Sequence, residues 1–420
     1  MNIEGKKLLI LGGGILSGDI VKVAQSMGVY TIVTDWYTTD RSPSKLIADE
    51  YWNEEIFKPE RLAELVKKKG INGVITGFTD SYLLQYQRLC ELSGLPCYAT
   101  KEQFEIALDK AKFKELCQRF NIGVVPEYSI ESFDPSFISK DNSILLKPVD
   151  NSGSRGIYLC DNPDEYERLK AESLSFSQKG VILIEKYMQC DDVSFEYKIQ
   201  DGEITLSSIC DRYIHKTEQF GSVTSALIYP SKYLERYKCQ VDMKVHDMFR
   251  SLDLRNGVLF MQAFVDETSF YFYEMGYRLS GGRHYIFTEN QNGDSSVKQL
   301  IHFAISGSMD DRRIREIANP QFKDLCCQLS VLCGSDRIKR IIGKEVVDAF
   351  PEIVDSLYSY DEGDTVGKEG TSAQIFARFH IVARDKSQLS LILNRIKSEL
   401  KVLNDADQNM IVDFFVLPED

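Results

Sequence analysis

Three short apolar strands, far apart in the chain, each end in a charged residue, and their order limits what the chain can become. Ile144-Leu145-Leu146 ends in Lys147-Pro148, and a glycine-serine-arginine loop from Asp150 to Gly156 follows. Val181-Ile182-Leu183-Ile184 ends in Glu185-Lys186-Tyr187-Met188. Phe270-Tyr271-Phe272-Tyr273 ends in Glu274-Met275-Gly276-Tyr277-Arg278. Each piece has a plain structural reading: a solvated lysine, a surface turn, a strand-end glutamate. In this order they describe a nucleotide site, with cations first, an acid for a base edge next, and a late acid beside an arginine.

The first hundred residues set the surrounding architecture. Leu8-Leu9-Ile10-Leu11 is a short apolar run closed by Gly12-Gly13-Gly14, and Leu16, Ile20, Val23, Ala24 and Met27 then recur at helical spacing. A strand from Val29 to Thr34 ends at Asp35, a polar helix runs from Pro59 to Lys69, and Gly73-Val74-Ile75-Thr76 forms the next strand. Repeated βα units of this kind predict a parallel sheet covered on both faces. The triple glycine with an acid after the second strand invites a dinucleotide reading. However, Gly12, Gly14 and Gly18 leave one residue too many in the second gap of the fingerprint, so tight backbone packing at the turn is the better account. Further on, alternating segments 193–199, 203–209, 258–265 and 270–273 predict an antiparallel sheet, with Asp201-Gly202 as a hairpin signal. The last ninety residues carry a strand from Ile375 to Val382, a helix from Ser387 to Leu400 and a strand from Met410 to Val416.

Composition narrows the class. A chain of 420 residues suggests two to four units. A net charge of −13 argues against a nucleic-acid surface. No run of eighteen apolar residues is present, so no membrane span is expected. The start lacks a signal peptide's apolar stretch. Ten cysteines without a C-x-x-C pair read as free thiols of a cytoplasmic protein, and five histidines in no ligand spacing make a zinc site unexpected.

The chemistry is carried by few side chains. Lys147, placed by a rigid strand, can direct its ammonium at a phosphate, and Ser152, Gly153, Ser154 and Gly156 can offer backbone N–H groups to phosphate oxygens; an ordinary surface turn is the alternative. Glu185 with the backbone beyond it suits an adenine edge. Gln262 and Glu274 lie on two strands that Asp266-Glu267-Thr268-Ser269 can pair, and one carboxylate plus one amide oxygen is a sufficient protein share for magnesium. Arg278 can hold a phosphate or a carboxylate through its guanidinium fork. Gly281-Gly282 permits close backbone approach, and Arg283-His284 adds charge. His284 reads either as a base for an amine nucleophile or as part of the wall.

This order resembles the ATP-grasp superfamily, in its biotin carboxylase and carbamoyl-phosphate synthetase branch, and within it the carboxylate–amine ligases. The resemblance covers nearly the whole chain, from the Asp109-Lys110 pair and Ile122-Gly123-Val124-Val125-Pro126 through Lys147-Pro148, Glu185 to Met188, Asp192 to Glu196, and Glu274 to Arg278 with Gly281-Gly282. It implies a mixed α/β and α+β fold. A Rossmann-like domain would span residues 1–108, an ATP-grasp domain 109–330 with a lid at about 125–188, and a small α+β domain 331–420. It assigns ATP to Lys110, Lys147, the glycine loop, Glu185, Lys186, Tyr187, Met188, Asp192 (ribose) and His215, and magnesium, with manganese as an alternative ion, to Gln262 and Glu274. Lys216 would reach the γ-phosphate, with an exposed strand edge as the other reading of His215 and Lys216. Arg278 would grip an acyl phosphate.

Two departures stand out: glycine at 276 where relatives carry a metal-binding asparagine, and Gln262 where many carry glutamate. The implied activity is an ADP-forming ligase joining a small-molecule carboxylate to an amine, as in acid–amino-acid and dipeptide-type ligases, in a form compatible with a homodimer and with no nucleic-acid or membrane partner. A bicarbonate-using carboxyphosphate enzyme and a non-catalytic nucleotide-binding regulator are the alternatives.

Overall fold

A computed structural model of the protein describes residues 2–149, 156–216, 222–309 and 312–418, with residues 216 and 222 described in their backbone alone. The first unit is a four-stranded parallel sheet of β1 (Lys7–Leu11), β2 (Tyr30–Thr34), β3 (Glu50–Trp52) and β4 (Gly73–Thr76), in the order β3-β2-β1-β4. Helices α1 (Ser17–Ser26), α2 (Pro59–Lys69) and α3 (Leu83–Ser93) connect and cover it. Strands β1 and β4 are buried on both faces, which is why they read as continuous apolar runs. The protein's own side chains fill the glycine turn after β1. Gly12 has φ +88° with the Tyr82 ring where a side chain would stand, a Cβ at Gly13 would lie 2.0 Å from Ser42 Oγ, and the Gly13 N–H donates to Asp35 Oδ2 at 3.0 Å.

Helix α4 (Lys101–Leu108) starts with a capping box between Thr100 and Gln103. Helix α5 (Lys110–Arg119) starts at Asp109, whose Oδ1 accepts from the N–H groups of Ala111 and Lys112. That cap sets Lys110 on the first turn of α5 and Lys114 one turn later. A small antiparallel sheet follows, with β5 (Glu127–Tyr128), β6 (Ile144–Pro148), β7 (Tyr158–Cys160) and β8 (Ile182–Lys186) in the order β5-β8-β6-β7, and α6 (Tyr166–Ser175) packs against it.

The largest element is a nine-stranded sheet. It contains β9 (Asp191–Gln200), β10 (Glu203–Lys216), β11 (Ser222–Tyr229), β12 (Gly257–Val265), β13 (Phe270–Gly276) and β14 (Leu325–Cys333). Beyond β15 (Ile338–Ile342), strands β16 (Ile353–Tyr358) and β17 (Ile375–Ala383) complete its main path, β13-β12-β9-β10-β11-β14-β17-β16. Strand β18 (Lys401–Asn404) pairs with β15, and β19 (Ile411–Asp413) with β14. Asp201 and Gly202 both take positive φ, 53° and 86°, as a tight hairpin between β9 and β10 requires. Residue 330 falls inside β14, which pairs with β11 on one side and β17 on the other, so the sheet is continuous across that position. Strand β14 is buried along almost its whole length, so it lacks the alternation that would mark it in sequence. Among the described residues no helix is long and apolar enough to cross a membrane.

Arg283, 1% exposed, ties remote segments together. Its Nε donates to Asp19 Oδ2 on α1 at 2.8 Å, and its two Nη atoms reach the Asp355 carboxylate on β16 at 2.5 and 3.2 Å. A second buried charge cluster lies under β9: Lys198 pairs with Asp294 at 2.7 Å, and Glu196 accepts from Ser296 Oγ at 3.0 Å while its Oε2 has no partner among the described residues. Burial pushes the Glu196 carboxyl up to about 7 from an ordinary 4.5, with Lys198 opposing and Asp294 assisting. The folded state therefore keeps a proton there that the unfolded chain releases, and stability falls as pH rises from about 4.5 to about 7. Glu196→Gln is expected to melt higher than the parent at about pH 8, with the gap closing toward about pH 5. Melting curves at the two pH values check this, and a gap independent of pH would contradict it.

Candidate functional site

A cavity of about 700 Å³ lies between the four-stranded antiparallel sheet and the face of β9, β10, β12 and β13. Of the residues expected from sequence, the structure brings Lys110, Lys147, Glu185, Tyr187, Met188, Asp192, Gln262, Glu274 and Arg278 to its wall. An adjoining open cleft shares Lys110 and Glu274. Residues separated by up to 168 positions thus meet in one place.

The charged groups on this wall fall into two sets. In the first, every charge is already paired. Glu185, 3% exposed, stands between two ammonium groups, that of Lys147 on β6 and that of Lys114 on α5. Lys114 also reaches Glu127 on β5 at 3.0 Å. Burial would raise the Glu185 carboxyl, but Lys147 and Lys114 outweigh it and hold the group below the usual carboxylate range. For Lys147, burial and the charges of Lys110 and Lys114 pull the ammonium below its ordinary value against the attraction of Glu185. Asp192 is gripped by Arg212 at 2.8 Å across the β9–β10 ladder and by Tyr273 Oη at 3.0 Å, and burial still leaves its carboxyl raised. Arg278 meets Asp80 fork to fork, with Nε to Oδ1 and Nη2 to Oδ2 both at 2.6 Å, and its guanidinium sits 4.9 Å above the Phe260 ring.

The second set comprises Lys110, Gln262 and Glu274, whose side chains make no hydrogen bond or ion pair among the described residues. Gln262 and Glu274 are direct partners across β12 and β13. The register shifts just beyond them: Ala263 pairs with Phe272, so Tyr273 is an extra, bulged residue. The bulge turns both Tyr273 and Glu274 toward the cavity, which strict alternation would forbid.

Several expectations need correction. The Lys186 side chain is exposed and its N–H donates to Pro126 O at 2.9 Å, so that N–H has no room for a base. His215 turns its Nδ1 to Asp413 Oδ2 at 2.7 Å and is absent from the cavity wall. Gly156 packs against Phe176 and Pro148, and the following residue, Ile157, lines the cavity instead. His284 is 1% exposed, with Nδ1 bonded to Tyr229 Oη at 2.6 Å. Burial, with Arg212 and His380, pushes its imidazole down to about 3, too low to draw a proton from an amine. It is a neutral wall group, not a base. Ser152, Gly153, Ser154 and the side chain of Lys216 lie outside the described residues. Sequence reasoning missed Lys114, Arg212, Tyr273 and Asp80. Only Lys114 left a signal, since it follows Lys110 at helical spacing.

No family model matches the chain. Its architecture is the ATP-grasp fold. It superimposes on an L-amino acid ligase from Bacillus licheniformis with a TM-score of 0.77 at 15% identity, over 96% of this chain and 99% of that one. It also superimposes on the biotin carboxylase domain of Hydrogenobacter thermophilus 2-oxoglutarate carboxylase, solved with MgADP and bicarbonate, at 0.73 and 20%, over 94% and 91%. In sequence, the chain is 23% identical over 292 residues to the carbamoyl phosphate synthase large chain of Thermotoga neapolitana, covering 66% of this chain and 26% of that protein.

Glycine at 276 has a local cause. Gly276 faces Phe260 across the ladder, and a Cβ there would lie 2.2 Å from the Phe260 ring. The ring that carries Arg278 therefore occupies the space an asparagine would need, and Gly276→Asn alone cannot supply a metal ligand. That substitution should cost about 1–3 kcal/mol of stability through overpacking, and less in a Phe260→Ala background. Urea denaturation of the four proteins checks it; equal costs in both backgrounds would show that the two positions do not compete.

Proposed function

We propose that the chain is an ATP-dependent, ADP-forming ligase that activates a carboxylate as its acyl phosphate and joins it to an amine. The observation that carries this reading is the set of unpaired groups, Lys110, Gln262 and Glu274, on a wall where the other charges are matched. One free cation, one free carboxylate and one amide oxygen suit a metal–polyphosphate ligand, and the described residues offer no cluster of three or more acidic, histidine or cysteine ligands that would bind a metal without it. Likeness to an amino acid ligase over nearly all of both chains supports the amine-joining form. The match to carbamoyl phosphate synthase spans only 26% of that protein, so its whole activity does not transfer.

In this reading Lys110 and Lys147 hold phosphate oxygens, and Tyr187 and Met188 border the base. Gln262 and Glu274 would hold magnesium, which would supply charge neutralisation for the phosphates. The substrate carboxylate oxygen takes the γ-phosphoryl group and ADP departs. The amine nitrogen then forms a bond to the acyl carbon, inorganic phosphate leaves with the bonding electrons, and the surplus amine proton passes to phosphate or water. Arg278, already neutralised by Asp80, acts through backbone placement and any residual N–H it can present. A bicarbonate-activating enzyme is the second reading, favoured by the likeness to a biotin carboxylase domain. A regulator without turnover is the third.

Release of ADP from Mg-ATP, measured with pooled carboxylates and amines and separately with bicarbonate, discriminates the three. Amine-dependent release supports the ligase, bicarbonate-dependent release the carboxyphosphate route, and no release the regulator. Glu274→Gln keeps shape and removes charge. It should leave the melting temperature unchanged while turnover falls at least about a hundredfold, roughly 2.7 kcal/mol of transition-state stabilisation. Normal turnover in that variant would place the metal elsewhere.

A further inference from the structure

A smaller chamber of about 200 Å³ opens beside the main cavity, and the two share Arg212, Gln262, Ser372 and the Ser280–Gly282 backbone stretch. Among the described residues no carboxylate lines it. Its described wall combines hydroxyl and amide side chains, apolar Val223, Leu227 and Ile375, His284, and two arginines, Arg212 and Arg378. Arg212 is neutralised by Asp192. Arg378, on β17, has no hydrogen bond or ion pair among the described residues. Its charged neighbour Arg283 is already matched by Asp19 and Asp355 and offers it only like charge. Burial, with that like charge, pulls the Arg378 guanidinium down to about 10.

An unmatched guanidinium in a partly buried wall is costly to keep, because its desolvation is repaid only by a partner. Arg378 pairs across the ladder with Ser330 on β14; two residues earlier on that strand, Gln328 donates through Nε2 to Ser330 Oγ at 3.1 Å, and its buried Oε1 has no partner among the described residues. The chamber thus holds one cation lacking an anion and one acceptor lacking a donor. A phosphate would satisfy the first and repel the second. A zwitterion carrying a carboxylate and an amine satisfies both.

We infer that this chamber is the subsite for an amino acid, the amine substrate of the proposed ligase, with Arg378 binding its carboxylate and Gln328 accepting from its amine. The inference rests on the ligase reading for the substrate's role but not for the binding itself. The chamber joins the main cavity at Gln262 and Gly281–Gly282, so an amino acid seated there lies beside the place where the acyl phosphate forms. His284, neutral and bordering the chamber, is compatible with this because it adds no competing charge.

Binding is measured calorimetrically with the proteinogenic amino acids and, for each binder, its carboxamide and its N-acetyl derivative, all in the presence of Mg-ATP analogue. At least one amino acid should bind the wild type, and its carboxamide and N-acetyl forms should bind at least about tenfold more weakly, as loss of a charge-assisted contact requires. Arg378→Gln should lose the same factor for the free amino acid, and Arg378→Lys less. Since the guanidinium has no partner among the described residues, Arg378→Gln should melt no lower than the parent. Absence of any binder, equal binding of acid and carboxamide, or unchanged affinity in Arg378→Gln would overturn the assignment. ADP release is recorded separately with Mg-ATP, the binding amino acid and pooled carboxylates: binding without release sinks the ligase reading and leaves the subsite standing.

Discussion

Two arginines hold the middle of this protein against its ends. Arg278 meets Asp80 and Arg283 meets Asp19, so the short stretch between them is fastened at both ends to the first eighty or so residues. Arg283 also reaches Asp355 near the other terminus. Ser280, Gly281 and Gly282, which lie between the two anchors, border both the main cavity and the side chamber. A wall pinned by charge-assisted bonds to two buried guanidinium groups is stiff, because breaking either pair leaves a buried arginine uncompensated. The first unit lends the site two apolar wall residues, Leu16 and Phe78, and two anchoring carboxylates, Asp19 and Asp80. Its glycine turn is plugged by Tyr82, Ser42 and Asp35.

The lysine–glutamate–lysine cluster works in the same way on the opposite wall. Glu185 fixes where the ammonium groups of Lys147 and Lys114 stand, and it links α5 to the small antiparallel sheet. Lys110, one helical turn from Lys114, is left facing the cavity with its charge unmatched among the described residues. A site built in this manner separates two tasks. In the proposed reading the paired groups set positions, Lys147 among them also reaching phosphate, while Lys110, Gln262 and Glu274 are left for the ligand.

Much of this was legible in the chain. The strand-end residues Lys147, Glu185 and Glu274, the βα alternation of the first hundred residues and the Asp201-Gly202 hairpin rest on local pattern, and each stands in the structure near where pattern places it. What escaped was pairing at a distance. Nothing in the neighbourhood of Arg278 announces Asp80, 198 residues away, and nothing near His215 announces Asp413. The two histidines misled for that reason: their types suit phosphate or proton chemistry, but a carboxylate claims one and burial neutralises the other. Strand β14 escaped for a different reason, since a strand buried on both faces carries no period to read. The bulge at Tyr273 lies beyond any pattern argument, because it departs from the alternation on which such arguments depend.

The continuity of the large sheet has a geometric consequence. From β12 to β17 the path crosses five strand-to-strand steps, which at about 4.8 Å each would span about 24 Å if the sheet lay flat. Yet Gln262 on β12 and Arg378 on β17 border the same chamber of about 200 Å³. The sheet must curl into a trough, with these residues facing one another across it. Its curvature acts as a gauge: the spacing between the Gln262 end and the Arg378 end is set by hydrogen-bonded rungs of backbone, and a molecule that bridges them is measured against the roll of the sheet.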